Sequence, residues 1–388
     1  MVVDMEKPQV KRVMYPVVLP GNRIQMGLNQ YGTAAHLQDD DGGSIERLLL
    51  LLDGSRSIDE ICEAFEQAHP EWDTESVKEV IGQLAEAGFL EDAAGSAPGL
   101  TDREIQRYAP TRHFYAWIDT TPRSSPYEIQ ERLKNSRVTV FGIGGTGSAV
   151  ATGLVASGVG RVHVVDFDRV EESNLTRQLL FTERDIGRLK IDVAVERLRA
   201  INSLIEITGE DRQVNTPDEI CALMADCDIF VLGADTPRLK VHWWANEAAL
   251  RTATPWYMVY YDGPTVTIAS LKPGSTGCWA CLRRDQDLAE FVSAGRPLMD
   301  WPPTSVVCAS ANITGQLCAL DVVYQLSGIP SQVLGKVYRQ NLARWDDQYF
   351  VPMPRYDDCP ACGDGGDPAR MSDLAAVGGS PTWSKGAD

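Results

Sequence analysis

The sequence predicts an α/β protein with a mostly parallel sheet, and three stretches carry that prediction. Val138-Thr139-Val140-Phe141 is a β-branched and aromatic run that enters Gly142-Ile143-Gly144-Gly145-Thr146-Gly147, and a helical pattern follows to Gly158. Strand, glycine turn and helix N-terminus in that order let backbone amides approach a phosphate. Arg161 to Asp166 reads as a second strand whose final acid is placed to meet ribose hydroxyls. Val231-Leu232-Gly233-Ala234-Asp235 closes a third strand, again on an acid. The glycine motif alone is compatible with NAD, FAD or ATP, and a dinucleotide oxidoreductase would show the first two stretches as well.

Ahead of this domain lies a small module, residues 10–92. Alternation over Arg12 to Leu19 predicts a short strand, Pro20-Gly21-Asn22 a turn, and Arg23 to Met26 and Ala34 to Gln38 two further strands. Three helices are expected next. Ser44 starts the first, Ser57 caps the second with Glu60 completing a capping box, and Asp73 or Thr74 opens the third. Val77, Val80, Ile81 and Leu84 give the third its 3.6-residue period; Gly88 ends it and Phe89-Leu90 returns to the core. Residues 93–134 read as a linker and polar connector, partly helical, residues 135–364 as the large domain, and residues 365–388 as a disordered tail too poor in apolar residues to pack.

At 388 residues the chain has room for two or three domains, and an apolar fraction of 44% is ordinary for a globular protein. A formal net charge of −18 excludes a nucleic-acid partner, which needs a basic surface. The longest apolar run, Leu48 to Leu52, is far too short to span a bilayer, and no signal-peptide pattern opens the chain. A cytoplasmic protein with no membrane partner is therefore expected. In that compartment nine cysteines point to metal or thiol chemistry before disulfides.

The residues after the second strand break the tie between cofactors. Asp166-Phe167-Asp168 is followed by Ser173-Asn174-Leu175, then Arg177-Gln178, then Gly187 and Lys190, and finally Asp235. This ordered set resembles the ThiF family, the adenylating domain of ubiquitin-activating-type enzymes and of the thiamine and molybdopterin sulfur-carrier adenylyltransferases. The resemblance implies a Rossmann-like fold, use of ATP, and a homodimer. It also implies that Gly142, Gly144, Gly145 and Gly147 form the phosphate turn and that Asp166 binds ribose. Asn174 and Gln178 would help hold the nucleotide, Asp168 would bind it or hold the loop, and Asp235 would bind Mg2+. A carboxylate attacking the α-phosphate brings anion against anion, so Arg177 and Lys190 would supply the screening charge. Thr236 and Lys240 stand where the family often has Asn and Arg. Arg112, with Arg107 beside it, is the candidate for an arginine donated across the dimer.

Cys278-x-x-Cys281 and Cys359-x-x-Cys362 supply four thiolates, the ligand set of a closed structural zinc site. Cys308 remains over. It is a small apolar core residue, or else a nucleophile served by a crossover loop at Asp285 to Thr304. Cys62, Cys221, Cys227 and Cys318 fall on apolar faces, and His113 and His242 read as packing residues.

The N-terminal module resembles the PqqD-like winged-helix unit that recognises leader peptides, through Leu51-Leu52-Asp53-Gly54, Ser57-Ile58-Asp59-Glu60-Ile61 and the stretch from Leu84 to Asp92. Its pairing with an adenylating domain resembles enzymes of the microcin and pantocin type. The expected function is therefore adenylation of a carboxylate on a ribosomally made precursor peptide. Two alternatives stand beside it: adenylation of a sulfur-carrier protein, and a non-catalytic scaffold that holds a leader for a partner cyclodehydratase.

Overall fold

The structure, a computed structural model, describes residues 5–27, 34–237, 240–285 and 305–369. The chain divides into two compact units, Met1–Arg132 with Ser327–Ile329, and Leu133–Leu326 with Pro330–Asp388.

In the first unit β2 (Val17–Leu19), β3 (Arg23–Met26) and β4 (Ala35–Gln38) form an antiparallel sheet in that order. Arg12–Met14, expected to be strand, is a 3₁₀ turn; Pro16 cannot donate to a ladder, and regular pairing begins only after it. Helices α1 (Ser44–Leu51), α2 (Ile58–Glu66) and α3 (Thr74–Glu86) follow. The capping box on α2 is present, with Ser57 N–H donating to Glu60 Oε2 at 2.8 Å, and Asp73 caps α3. Phe65, Ile61 and Val77 are fully buried in this unit's core. The sequence did not reveal β1 (Pro8–Val10), which pairs antiparallel with β5 (Leu90–Asp92) and so closes the unit from its two ends. The connector forms α4 (Asp102–Ile118), capped by Thr101 and Glu104, and α5 (Glu128–Lys134), within which the division between units falls.

The second unit is built on β6 (Arg137–Phe141), β7 (Arg161–Asp166), β8 (Glu206–Asp211), β9 (Ile229–Leu232), β10 (Trp256–Asp262), β11 (Thr265–Leu271), β12 (Lys336–Asn341) and β13 (Gln348–Pro352). Their spatial order is β13-β12-β11-β10-β9-β6-β7-β8. From β10 to β8 all neighbours are parallel; from β10 to β13 all are antiparallel. The strand order reverses beside β6, which is where an open α/β sheet leaves a crevice at its carboxyl ends.

Helices α6 (Gly145–Ser157), α7 (Lys190–Ile201), α8 (Pro217–Met224), α9 (Val241–Thr252), α10 (Trp279–Asp285) and α11 (Cys308–Ser327) complete the unit. α6 and α11 approach closely along matched small residues. A Cβ on Gly153 would lie 2.7 Å from Ala319 Cβ, and one on Gly315 would lie 2.5 Å from Ala149 Cβ. α11 is fixed to the sheet by Tyr257, whose buried hydroxyl donates to Asp321 Oδ2 at 2.7 Å. A hydroxyl buried without such a partner would cost about 1–3 kcal/mol. Among the described residues no helix is long and apolar enough to cross a membrane.

The turn from β6 into α6 tolerates no side chain at its crossing point. Gly142 has φ +90°, and a Cβ on Gly147 would sit 1.8 Å from the Gly142 carbonyl oxygen. Gly147→Ala is expected to cost about 3 kcal/mol through this overlap. A thermal melt checks it, and an unchanged midpoint would show that the turn can relax.

Candidate active site and cysteine cluster

The glycine turn is held from below by one carboxylate. Asp166, at the end of β7 and 7% exposed, accepts the Ile143 amide at 2.7 Å on Oδ2 and the Asp168 amide at 2.8 Å on Oδ1. Asp168 in turn receives Lys190 twice. The Lys190 amide donates to its carbonyl at 2.8 Å, and Nζ reaches Oδ2 at 2.8 Å. Lys190 is buried, whereas the Asp168 side chain is 51% exposed. Of the two acids, Asp166 thus spends both oxygens on the loop and Asp168 presents a free edge to solvent.

The 3₁₀ turn Glu172–Thr176 places the next residues. Asn174 Oδ1 accepts the Glu171 amide at 3.1 Å, and the Arg177 guanidinium donates to the Ser173 carbonyl at 2.8 Å. Arg177 also packs its stem against Gly145, where a Cβ would lie 3.5 Å from Cγ. Gln178 is buried beside the turn, and among the described residues its side-chain oxygen has no hydrogen-bond partner. Nε2 of the same side chain is 3.9 Å from the point where a Gly144 Cβ would stand, and among the described residues no other side chain lies within 4 Å of that point. Open space over a helix N-terminus fits a bound nucleotide phosphate, and the Gln178 oxygen, an acceptor, fits a hydroxyl or amino donor of the same nucleotide.

Asp235 follows β9 and is exposed, with Thr236 Oγ1 donating to it at 3.2 Å. Its charge acts on two neighbours that no motif had marked. Tyr261, at the end of β10, is raised above the usual phenol range by burial and pulled back by Arg177. His242, in the first turn of α9, is pushed down to about 4 by burial and by Arg283, against the opposing pull of Asp235. Its packing partner is Trp279, stacked at 5.0 Å, whereas His113 is exposed.

Cys308 begins α11, and Asn312 Nδ2 donates both to its carbonyl at 2.9 Å and to the Arg177 carbonyl at 3.2 Å. The crossover loop expected to serve it lies, from residue 286 to 304, outside the described residues, as does the tail from residue 370 onward. Cys62 and Cys318 are buried, while Cys221 and Cys227 are half-buried against the core. Arg112 lies on α4 of the first unit, with its guanidinium 5.2 Å from the Tyr127 ring centre.

The four paired cysteines converge. All their sulfurs lie within 4.8 Å of one another, including Cys278 to Cys359 at 3.7 Å and Cys281 to Cys362 at 3.5 Å. Tetrahedral ligation at a Zn–S distance of about 2.3 Å needs sulfurs roughly 3.8 Å apart, so the donor set fits zinc. Such a site is closed and would supply cross-linking, with no open position for a substrate.

A glycine turn at a sheet crevice, with Arg177 packed on it, Lys190 tied to the following loop and the strand end leading to Asp235 alongside, fits a nucleotide-dependent enzyme of the α/β class. Residues 119–361 match the ThiF family, and the chain belongs to it. It is an ATP-dependent adenylyltransferase. Among curated proteins it is 31% identical over 242 residues to the sulfur carrier protein ThiS adenylyltransferase of Bacillus subtilis, covering 60% of this chain and 67% of that one. It is 31% identical over 272 residues to the sulfur carrier protein adenylyltransferase of Thermus thermophilus, covering 66% and 93%. Among solved structures, E. coli MccB superposes with a TM-score of 0.74 at 22% identity, over 92% of this chain and 97% of that one. PaaA superposes with a TM-score of 0.66 at 21% identity, over 88% and 99%. At these identities the likeness to the two structures is one of fold.

Two outcomes follow. Protein purified without chelators should carry about one zinc per chain, and Cys359→Ser should lose it and melt lower; elemental analysis finding no zinc in wild type would remove the site. His242, neutral when folded, takes up a proton more readily when unfolded. Its contribution to stability is therefore constant above its unfolded value near pH 6.5 and lost as pH falls from there toward 4. Melts of wild type and His242→Phe should differ by a constant above pH 7 and shift in favour of the variant below 6. Parallel curves would show that His242 does not sense this range.

Proposed function

We propose that this enzyme adenylates a carboxylate on a ribosomally made precursor peptide held by its N-terminal unit. The observation that carries the reading is the extent of the structural likeness. The fold of E. coli MccB superposes over 92% of the chain and so extends into both units. Solved structures of E. coli MccB include complexes with ATP and with MccA. On this reading the first unit is a PqqD-like winged helix that takes a leader as an added strand on its small sheet, where main-chain hydrogen bonds give affinity.

In the second unit the amides of Gly144, Gly145 and Gly147 at the start of α6 cradle the phosphates. The ribose, expected on Asp166, falls on this reading to Asp168, whose carboxylate has an exposed edge, because Asp166 spends both oxygens on the turn and loop beneath it. Gln178 and Asn174 fix the nucleotide, and the unsatisfied oxygen of Gln178 gains a donor. A carboxylate oxygen attacks the α-phosphorus, the bond to the β-phosphate breaks, and pyrophosphate leaves with the electron pair. Arg177 and Lys190 screen the charge that gathers on the transferred and departing phosphates. Asp235 is the residue that would hold Mg2+, which neutralises phosphate charge when bound. Dimerisation, with Arg112 reaching the partner's nucleotide, belongs to the same proposal.

The sequence identity to sulfur-carrier adenylyltransferases favours a second reading, in which the acyl substrate is a small carrier protein. ATP–pyrophosphate exchange separates the two. Exchange should appear with a peptide encoded beside the gene and fall at least about a hundredfold in Lys190→Ala, as for loss of a charge on the reacting phosphates. Exchange with a Gly-Gly carrier protein and none with any peptide would reverse the order. ATP binding without exchange toward either, or no ATP binding at all, would leave the leader-holding scaffold.

A further inference from the structure

Arg283 is half-buried near the neutral Tyr260 phenol, and among the described residues it has no acidic partner. Its neighbour Arg284 is paired with Asp358 at 2.9 Å. Withdrawing a guanidinium from water without an anion is costly, and such groups are found where a ligand brings the anion. Arg283 and Trp279 are one turn apart on α10, and the guanidinium carbon is 5.9 Å from the Trp279 ring centre. Trp279 stacks on His242 at 5.0 Å and 24°, and His242 meets Tyr260 edge-on at 6.2 Å and 84°. The result is a wall of neutral rings ending in one cation.

Position relates this wall to the reaction. Tyr260 and Tyr261 are consecutive on β10 and point to opposite faces of the sheet. Tyr261 faces Arg177, and Tyr260 faces His242. Both tyrosines lie near the carboxyl end of β10, which runs parallel beside β9, and the carboxyl end of β9 leads into Asp235. Arg177 and Lys190 already serve the side where pyrophosphate would leave. A nucleophile displaces a leaving group from the opposite side, so the acyl substrate needs a site away from these two cations.

We propose that Arg283, backed by Trp279 and His242, is the acyl-side recognition residue, binding a carboxylate of the substrate through the paired N–H groups of its guanidinium. This rests on the adenylation reading and adds that the acyl pocket selects an anion with a flat group beside it.

The test needs no turnover. The full-length protein, saturated with a non-hydrolysable ATP analogue, is titrated with N-acetylglycine, with N-acetylglycinamide and with inorganic pyrophosphate, each followed by ligand-observed NMR. Wild type should bind the acid and not the amide. Arg283→Gln should weaken the acid by about tenfold or more, the range for a hydrogen bond to a charged group, and Arg283→Lys by less. Affinity for the ATP analogue should stay within about twofold in both, which also shows that the variants fold. Equal acid binding by wild type and Arg283→Gln, absence of acid binding by wild type, or a loss confined to pyrophosphate would each overturn the inference. Absence of exchange in the earlier assay would sink the adenylation reading; unchanged acid binding beside intact exchange would sink only the role of Arg283.

Discussion

A buried carboxylate that accepts two backbone amides organises everything around the nucleotide crevice. Asp166 reaches the glycine turn with one oxygen and the following loop with the other, so the two segments cannot move independently. The loop then fixes Lys190 through the Asp168 carbonyl and carboxylate, and Lys190 is the first residue of α7. A carboxylate bonded to amides is worth more in a dry interior than at a surface, because water does not compete for the donors. One side chain therefore couples a strand end, a glycine turn, a cation and a helix start.

Close helix packing and the thiol cluster extend this order outward. Small residues at every fourth position let α6 and α11 approach, which sets Asn312 against the Arg177 carbonyl and brings Cys308 to the same neighbourhood. The four cysteines do comparable work at the other side of the sheet. They bring the start of α10 together with the segment after β13, two stretches separated by some eighty residues of chain. Trp279 lies between two of these cysteines in the chain and also stacks on His242, so the cluster is joined to the first turn of α9 through one ring.

The chain is acidic overall, at −18, yet cations gather where an anionic substrate would be handled. Arg177 and Lys190 each keep a contact that orients them without spending their charge on a buried acid: Arg177 donates to a carbonyl, and Lys190 pairs with an acid that is itself half exposed. Arg283 goes further and keeps no acidic partner among the described residues. Net charge thus says little about a pocket whose chemistry is set within a few ångströms.

The sequence by itself determined what depends on neighbours along the chain. The strand, glycine turn and helix at Val138 to Gly158, the Ser57–Glu60 and Asp73 caps, and the ordered residues from Asp166 to Asp235 were all legible, because turns, caps and motifs are short-range. The paired cysteine motifs were legible too, since zinc constrains ligand type and spacing. Tertiary structure decided the rest. Pairing of β1 with β5, the antiparallel run from β10 to β13, and the meeting of Asn312 with Arg177 join residues far apart, and no periodicity encodes a partner. The division of labour between Asp166 and Asp168 also lay beyond the sequence. Both are acids two residues apart, and only the backbone path decides which one is spent on amides and which one faces open space. Arg283 was invisible for the same reason: its stacking against Trp279 and its lack of an acidic partner among the described residues exist only once the chain has folded.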